Sequence, residues 1–303
     1  MCLFFVTMHI MNIAVIGSSG YIGHNLIERL ISETDHLIIA LSPNAESIAL
    51  EHERLKKRNI DVFDTEKLHE QLMNCDAAYY LIHMMAQKKM DFALAETKAA
   101  ESFCGAAKNT PIKRLIYLGG LGNDEENLSK HLASRHKTGE ILKNNLPQVI
   151  EFRASMVIGR GSISYDIVTN LIHKLPVLTL PKWAKTLTQP IGLDDAISYL
   201  VAALNLETKE HQIIEIGGPE KLSYGDLMKR YAAWENKKMM IIKFHVIPVS
   251  IAAWWLNLFT PKTHAKVGRI MVDSLSNPMV VTNNRALVLF PEIHPKKLED
   301  VFV

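Results

Sequence analysis

Gly17, Gly20 and Gly23, in the string Gly17-Ser18-Ser19-Gly20-Tyr21-Ile22-Gly23, are the residues whose type and spacing point most directly to chemistry. They follow the apolar run Ile13-Ala14-Val15-Ile16 and precede Asn25-Leu26-Ile27-Glu28-Arg29-Leu30, a pattern of buried strand, tight turn and helix. Such a junction suits a dinucleotide diphosphate. The turn needs backbone freedom, the phosphate needs close access to N–H groups, and the helix presents its positive end. In this reading Gly17 permits the turn, Gly20 admits the phosphate, and Gly23 lets the helix pack on the sheet. Ser18 and Ser19 offer hydroxyl donors, and Tyr21 and Ile22 open the helix beside the ligand. The spacing is GxxGxxG rather than GxGxxG. A glycine turn with no ligand is the plain alternative.

The adenosine ribose needs a partner of its own. A site for NAD usually carries an acidic residue about 20 positions downstream, after the second strand. Here Ala40-Leu41-Ser42-Pro43-Asn44 holds no acid before Glu46, and no arginine. Ser42 and Asn44 tolerate or bond a 2′-phosphate, so NADP is expected ahead of NAD. Asp61 and Val62 are placed to touch the adenine edge, unless Asp61 only caps a turn. Leu81, Ile82 and His83 lie at one strand end and Leu118-Gly119-Gly120 at the next, where the nicotinamide half should run. Gly119 permits close backbone approach, although a simple turn accounts for the glycine pair too, and His83 has a structural alternative.

These residues must be positioned by regular elements. Strands are expected at 12–16, 36–41, 60–63, 77–82, 112–118 and 149–153, and helices at 21–32, 66–73, 91–108 and 128–144. Alternation at this spacing implies βαβ units around a parallel sheet, with right-handed crossovers placing helices on both faces. The expectation is a Rossmann-type, doubly wound α/β fold. Residues 1–11 read as an extension, 12–160 as the nucleotide core, and 161–303 as a mixed region. Within that region about 191–217 returns to the core, while the rest covers the carboxyl ends of the strands and forms a cleft.

At 303 residues, 48% hydrophobic and 22% charged, the chain is globular. Its formal charge of +2 comes from scattered basic residues, so no nucleic-acid partner is expected. Cys2, Cys75 and Cys104 form no CxxC pair. That argues against a disulfide scaffold or a thiolate metal site and fits a reducing, cytoplasmic setting. The first ten residues lack a basic leader pattern, and Met8 and Met11 leave open a later translation start. The apolar stretch 246–259 is too short and interrupted to span a membrane. Its Trp254-Trp255 pair suits a pocket or core, a protein partner, or a membrane surface.

Taken together, these strings resemble the atypical and extended short-chain dehydrogenase/reductase superfamily, nearest its NmrA-like and NAD(P)-binding epimerase/dehydratase-like members. The resemblance covers nearly the whole chain. It rests on GSSGYIG at Gly17–Gly23, Asp61-Val62, YLGGLG at Tyr117–Gly122, FRASMVIGRG at Phe152–Gly161, TQPIGLDDAISYL at Thr188–Leu200, and IGGPEKLSYGDLM at Ile216–Met228. It implies that the segment holding Met156 and Val157 runs beside the nicotinamide, with Pro190–Asp195 under the active-site region.

Catalytic members of that superfamily use a tyrosine and, four residues later, a lysine on the helix after strand five. A serine or threonine at that strand's end polarises the same substrate oxygen. This chain departs at each position. The strand end carries Gly119-Gly120, and Leu128–Asn144 contains no tyrosine. Alignment with the family places His131 and Arg135 at the tyrosine and lysine positions, and a shift by one gives Leu132 and His136. His131 is then a general acid/base, with Arg135 holding ribose or phosphate, since a guanidinium relays no proton. A solvent-facing basic turn is the plain alternative. Tyr165 offers a phenol from the following helix, while Ser129 and Ser134 lack the base of a triad.

The function implied is hydride transfer between NAD(P) and a small carbonyl or alcohol. Val157, Ile158, Trp183 and Trp254-Trp255 as candidate walls favour an apolar or aromatic substrate. The alternative is a non-catalytic NAD(P)-binding redox sensor or regulatory subunit.

Overall fold

Runs such as Ile13–Ile16 and Ala77–Tyr80 are apolar at every position, which suits strands buried on both faces of a parallel sheet. The computed structural model describes residues 10–85, 90–124, 127–174, 177–180, 182–237, 240–243, 270 and 273–303. Seven strands form one sheet: β1 (Asn12–Ile16), β2 (Leu37–Ser42), β3 (Leu55–Asn59), β4 (Ala77–Tyr80), β5 (Arg114–Gly120), β6 (Val149–Ala154) and β7 (Gln212–Ile216). Their order is β7-β6-β5-β4-β1-β2-β3, and every neighbouring pair is parallel. Chain direction across the sheet reverses between β1 and β4, which opens a crevice at their carboxyl ends.

Seven helices position the site: α1 (Tyr21–Glu33), α2 (Thr65–Leu72), α3 (Phe92–Ala107), α4 (Lys130–Asn145), α5 (Ile163–Lys174), α6 (Leu193–Ala202) and α7 (Tyr224–Trp234). Alternation along the strands separates two cores. Ile13, Val15, Ile38, Tyr79 and Phe152 meet Leu26, Ile27 and Leu30 of α1 and Ile197 and Leu200 of α6. Ala14, Ile16, Leu41, Tyr80 and Leu115 meet Leu68 and Leu72 of α2, Ala99 and Phe103 of α3, and Leu142 of α4. This is the expected doubly wound α/β sandwich, with the sheet buried between helical layers.

The third strand corrects the sequence reading. It is Leu55-Lys56-Lys57-Arg58-Asn59, paired with β2 from Ile38↔Leu55 to Ser42↔Asn59, and not the apolar run 60–63. At the sheet edge a charged strand discourages pairing with other chains and needs no apolar alternation. Ile60 and Val62 are buried, but in the turn that leads into α2.

Beyond β6, Val157-Ile158 pairs in parallel with Ile191-Gly192, directly ahead of α6. α5 and α7 share a separate core with Leu298 and Phe302. Phe290 packs against Phe152 and Tyr199, so part of the last segment belongs to the sheet's own core. Among the described residues no helix is long and apolar enough to cross a membrane. Residues 1–9 and the Trp254-Trp255 pair lie outside the described residues, as does the side chain of Trp183.

Candidate functional site

Gly17 has φ +89°, in the left-handed region, and a Cβ there would stand 2.9 Å from the Leu81 carbonyl carbon and oxygen. Only glycine turns the chain so close to β4. Its N–H donates to the Leu41 carbonyl at 2.9 Å, and Gly20 N–H donates back to Gly17 O at 3.0 Å. Gly23 packs one turn into α1, where a Cβ would lie 2.4 Å from Gly17 O. It therefore seats the helix on the turn and does not itself line the cavity.

The amino end of α1 is bare. Gly20 supplies no side-chain cap, and the first turn holds no acid, whereas Asp64, Asp91, Ser129 and Ser223 cap α2, α3, α4 and α7. Uncapped N–H groups facing a cavity fit a phosphate. Ser18, expected to add a hydroxyl, is fully buried and donates instead to Ser42 Oγ at 3.2 Å. Ser19 faces the cavity.

That cavity has a volume of about 630 Å³ and runs along the carboxyl ends of the strands. Gly17, Ser19, Gly20, Tyr21 and Ile22 form its floor at α1, with Ser42, Asp61 and Val62 toward the β2–β3 side. Leu81, Ile82, His83, Gly119, His131, Arg135, Met156 and Val157 also line it, so the structure gathers these sequence-selected residues around one space. Asp61 in addition accepts the N–H of Phe63 at 3.1 Å, the turn role weighed as its alternative. Tyr21 lies against Gly159 and Gly161, and a Cβ on Gly159 would collide with its hydroxyl. Burial, with Asp166 and Asp194 behind it, pushes the Tyr21 phenol up to about 12.

Of the two registers on α4, His131 and Arg135 face the cavity. His136 turns toward Asp124 and, at 2.9 Å, the Gly120 carbonyl. Arg135 is almost wholly buried and holds the strand ends together. Its guanidinium donates to the Ile82 carbonyl at 3.0 Å and to the Leu118 carbonyl, and lies 3.7 Å from Glu96 Oε1. The fork is thus committed largely to the protein itself.

His131 Nε2 meets His83 Nε2 at 3.1 Å, and His131 Nδ1 meets Ser274 Oγ at 3.0 Å. Ser274 Oγ continues to Ser129 Oγ at 2.9 Å. On the other side, His83 Nε2 stands 3.4 Å from Glu96 Oε1, and Glu96 accepts hydrogen bonds from Ser134 Oγ and the Met84 N–H. Desolvation and the Arg135 charge lower His131 to about 4. The same two causes, with His131 added, hold His83 well below the usual imidazole range. Both rings are therefore neutral at pH 7. Tyr165 is not available as a phenol here: it packs on Tyr231 and Phe302 and bonds the backbone of Val303.

Residues 17–155 match the sequence profile of the NAD(P)H-binding family. The match runs from the glycine turn after β1 through β6. No curated protein matches the chain. Among solved structures it is similar to a nucleoside-diphosphate-sugar epimerase from Staphylococcus aureus, with TM-score 0.71 at 14% identity over 95% of this chain and 98% of that one. It is also similar to UDP-glucuronic acid 4-epimerase from Bacillus cereus in complex with NAD, with TM-score 0.65 at 18% identity over 89% and 97% of the two chains. The Bordetella bronchiseptica enzyme WbmH in complex with NAD+ gives TM-score 0.70 at 12% identity over 97% and 96%. At these identities the shared property is the fold.

Two residues of the candidate site escaped the sequence reading. Glu96 is 2% exposed on α3, on the same face as Ala99, Ala100 and Phe103. A lone carboxylate three and four residues before buried alanines was the available signal. Ser274 arrives from a distant segment with no local pattern to mark it.

Proposed function

We propose that the protein binds NADP(H), with NAD(H) as the weaker ligand, and supports hydride transfer between it and a small, apolar carbonyl or alcohol. The observation that carries this reading is the bare amino end of α1 opening onto the same cavity as the neutral His83–His131 pair. When bound, the nicotinamide supplies hydride chemistry. Gly17, Ser19, Gly20 and Ile22 would hold the diphosphate, Ser42 the ribose, Asp61 and Val62 the adenine, and Leu81, Gly119, Met156 and Val157 the nicotinamide half. Arg135 would orient the strand ends beneath it, and the imidazole pair would handle the substrate's proton.

The preference for NADP is supported at Ser42, which lines the cavity, while the Glu46 carboxylate turns to Asn59 Nδ2 at 2.9 Å and stays off the lining. An apolar substrate is supported by the cluster of Leu132, Tyr224 and Met279 with Met156 and Leu275. A second reading, a non-catalytic NAD(P)-binding sensor, is favoured by Gly119-Gly120 where the superfamily's hydroxyl stands and by the absence of tyrosine from α4.

Fluorescence titration with NADPH and NADH tests the reading. Saturable binding, tighter for NADPH, is expected, and flat curves for both would overturn it. Turnover of an apolar carbonyl that falls about 10²-fold in His131→Ala separates the enzyme from the sensor.

A further inference from the structure

We propose that the atom which exchanges a proton with the substrate is His83 Nδ1, and that His131, Ser274 and Ser129 form the path by which that proton leaves. This rests on the hydride-transfer reading above. His131 has both ring nitrogens engaged, Nε2 by His83 and Nδ1 by Ser274. His83 uses only Nε2. Its Nδ1 has no hydrogen-bond partner among the described residues, and the ring keeps 35% of its side-chain surface open while lining the cavity.

The neighbours decide the tautomers. Glu96 Oε1, 3.4 Å from His83 Nε2, favours a proton on that nitrogen. His131 Nε2 then accepts from it, and the His131 proton resides on Nδ1, donating to Ser274 Oγ. The arrangement leaves a lone pair on His83 Nδ1, on a ring that lines the cavity. At rest the pair is therefore set as a base, suited to alcohol oxidation.

In that direction the alcohol O–H bond breaks and its proton goes to His83 Nδ1. The carbinol C–H bond gives its electron pair and hydrogen to an oxidised nicotinamide, and the C=O bond forms. The Nε2 proton of His83 passes to His131 Nε2, and the Nδ1 proton of His131 passes to Ser274 Oγ. The Ser274 hydroxyl proton moves to Ser129 Oγ, whose own proton goes to water, since Ser129 is half-buried at the amino end of α4. Carbonyl reduction runs the same path backwards. Neither ring becomes an imidazolium, which the buried Arg135 charge beside them opposes. His83 is the catalytic group in this scheme, and His131 and Ser274 are positioning residues.

The test is long-range ¹H–¹⁵N correlation spectroscopy of the ¹⁵N-histidine-labelled full chain at neutral pH, assigned with His83→Asn and His131→Asn. His83 should be found in the Nε2–H form and His131 in the Nδ1–H form, both neutral. Ser274→Ala should shift the His131 signals toward a tautomer mixture. Diethyl pyrocarbonate, applied to the unsubstituted protein, should label His83 and spare His131. An Nδ1–H form or an imidazolium at His83, or faster labelling of His131, would overturn the assignment. A flat NADPH titration of the same sample, with the expected tautomers present, would remove the functional reading instead.

Discussion

Glu96 sets the electrostatics at the residue scale, because one buried carboxylate faces Arg135, His83, Ser134 and the Met84 N–H together. Removing it strands a buried guanidinium. Glu96→Ala should destabilise the fold by about 3–5 kcal/mol in urea unfolding at neutral pH. Glu96→Gln, which keeps one acceptor oxygen and can turn its amide N–H to the Ser134 hydroxyl, should cost less. His131 adds a pH dependence whose sign follows from its folded value of about 4 against an unfolded value near 6.5. Between the two values the unfolded chain takes up a proton that the folded site refuses. The contribution is therefore complete above about pH 6.5 and is lost as pH falls toward 4. Melting temperatures measured across that window should fall more steeply for the parent protein than for His131→Gln. Equal slopes would remove His131 as a cause.

The turn and the helix it feeds form the unit that matters at the element scale. Gly23 lets α1 sit on Gly17 O, and this places the bare N–H groups of the helix at the cavity floor. In Gly23→Ala the added Cβ, 2.4 Å from that oxygen, must push the helix outward. NADPH affinity should drop by about tenfold or more, roughly 1.4 kcal/mol, in fluorescence titration. The circular dichroism spectrum should stay helical, because the apolar face of α1 is untouched. An unchanged affinity would show that the helix can settle elsewhere. The same scale explains why β3 was misplaced while β1 was located to the residue. β1 is buried on both faces and reads as an apolar run, whereas β3 is an edge strand whose Lys56, Lys57 and Arg58 carry no such pattern.

For the whole molecule, the cavity is walled by every layer of the fold: strand ends, α1, α4, the segment after β6, and residues 274–279 from late in the chain. A ligand that touches all of them couples them. NADPH at a hundredfold its dissociation constant should stabilise the folded state by about 2.7 kcal/mol, read as a rise in melting temperature. NADH at the same concentration should give a smaller rise. Equal shifts would overturn the NADP preference, and no shift with either would count against the cofactor reading.

The sequence by itself determined the βαβ alternation, the glycine turn and many, though not all, of the residues that surround the cavity. Each depends on local properties, namely apolar periodicity over a few residues and the backbone freedom of glycine. It also placed His131 and Arg135 on one face of α4, because four residues make about one helical turn. Only the tertiary structure decided what those two side chains do. Arg135 turns to the carbonyls of two strand ends, and His131 joins His83, which follows β4, and Ser274, from the far side of the chain. Ser18 was likewise drawn inward by Ser42 on the neighbouring strand. Proton-sharing partners are set by distances near 3 Å between segments that meet only when the sheet and its helices close together, and no local pattern along the chain encodes that meeting.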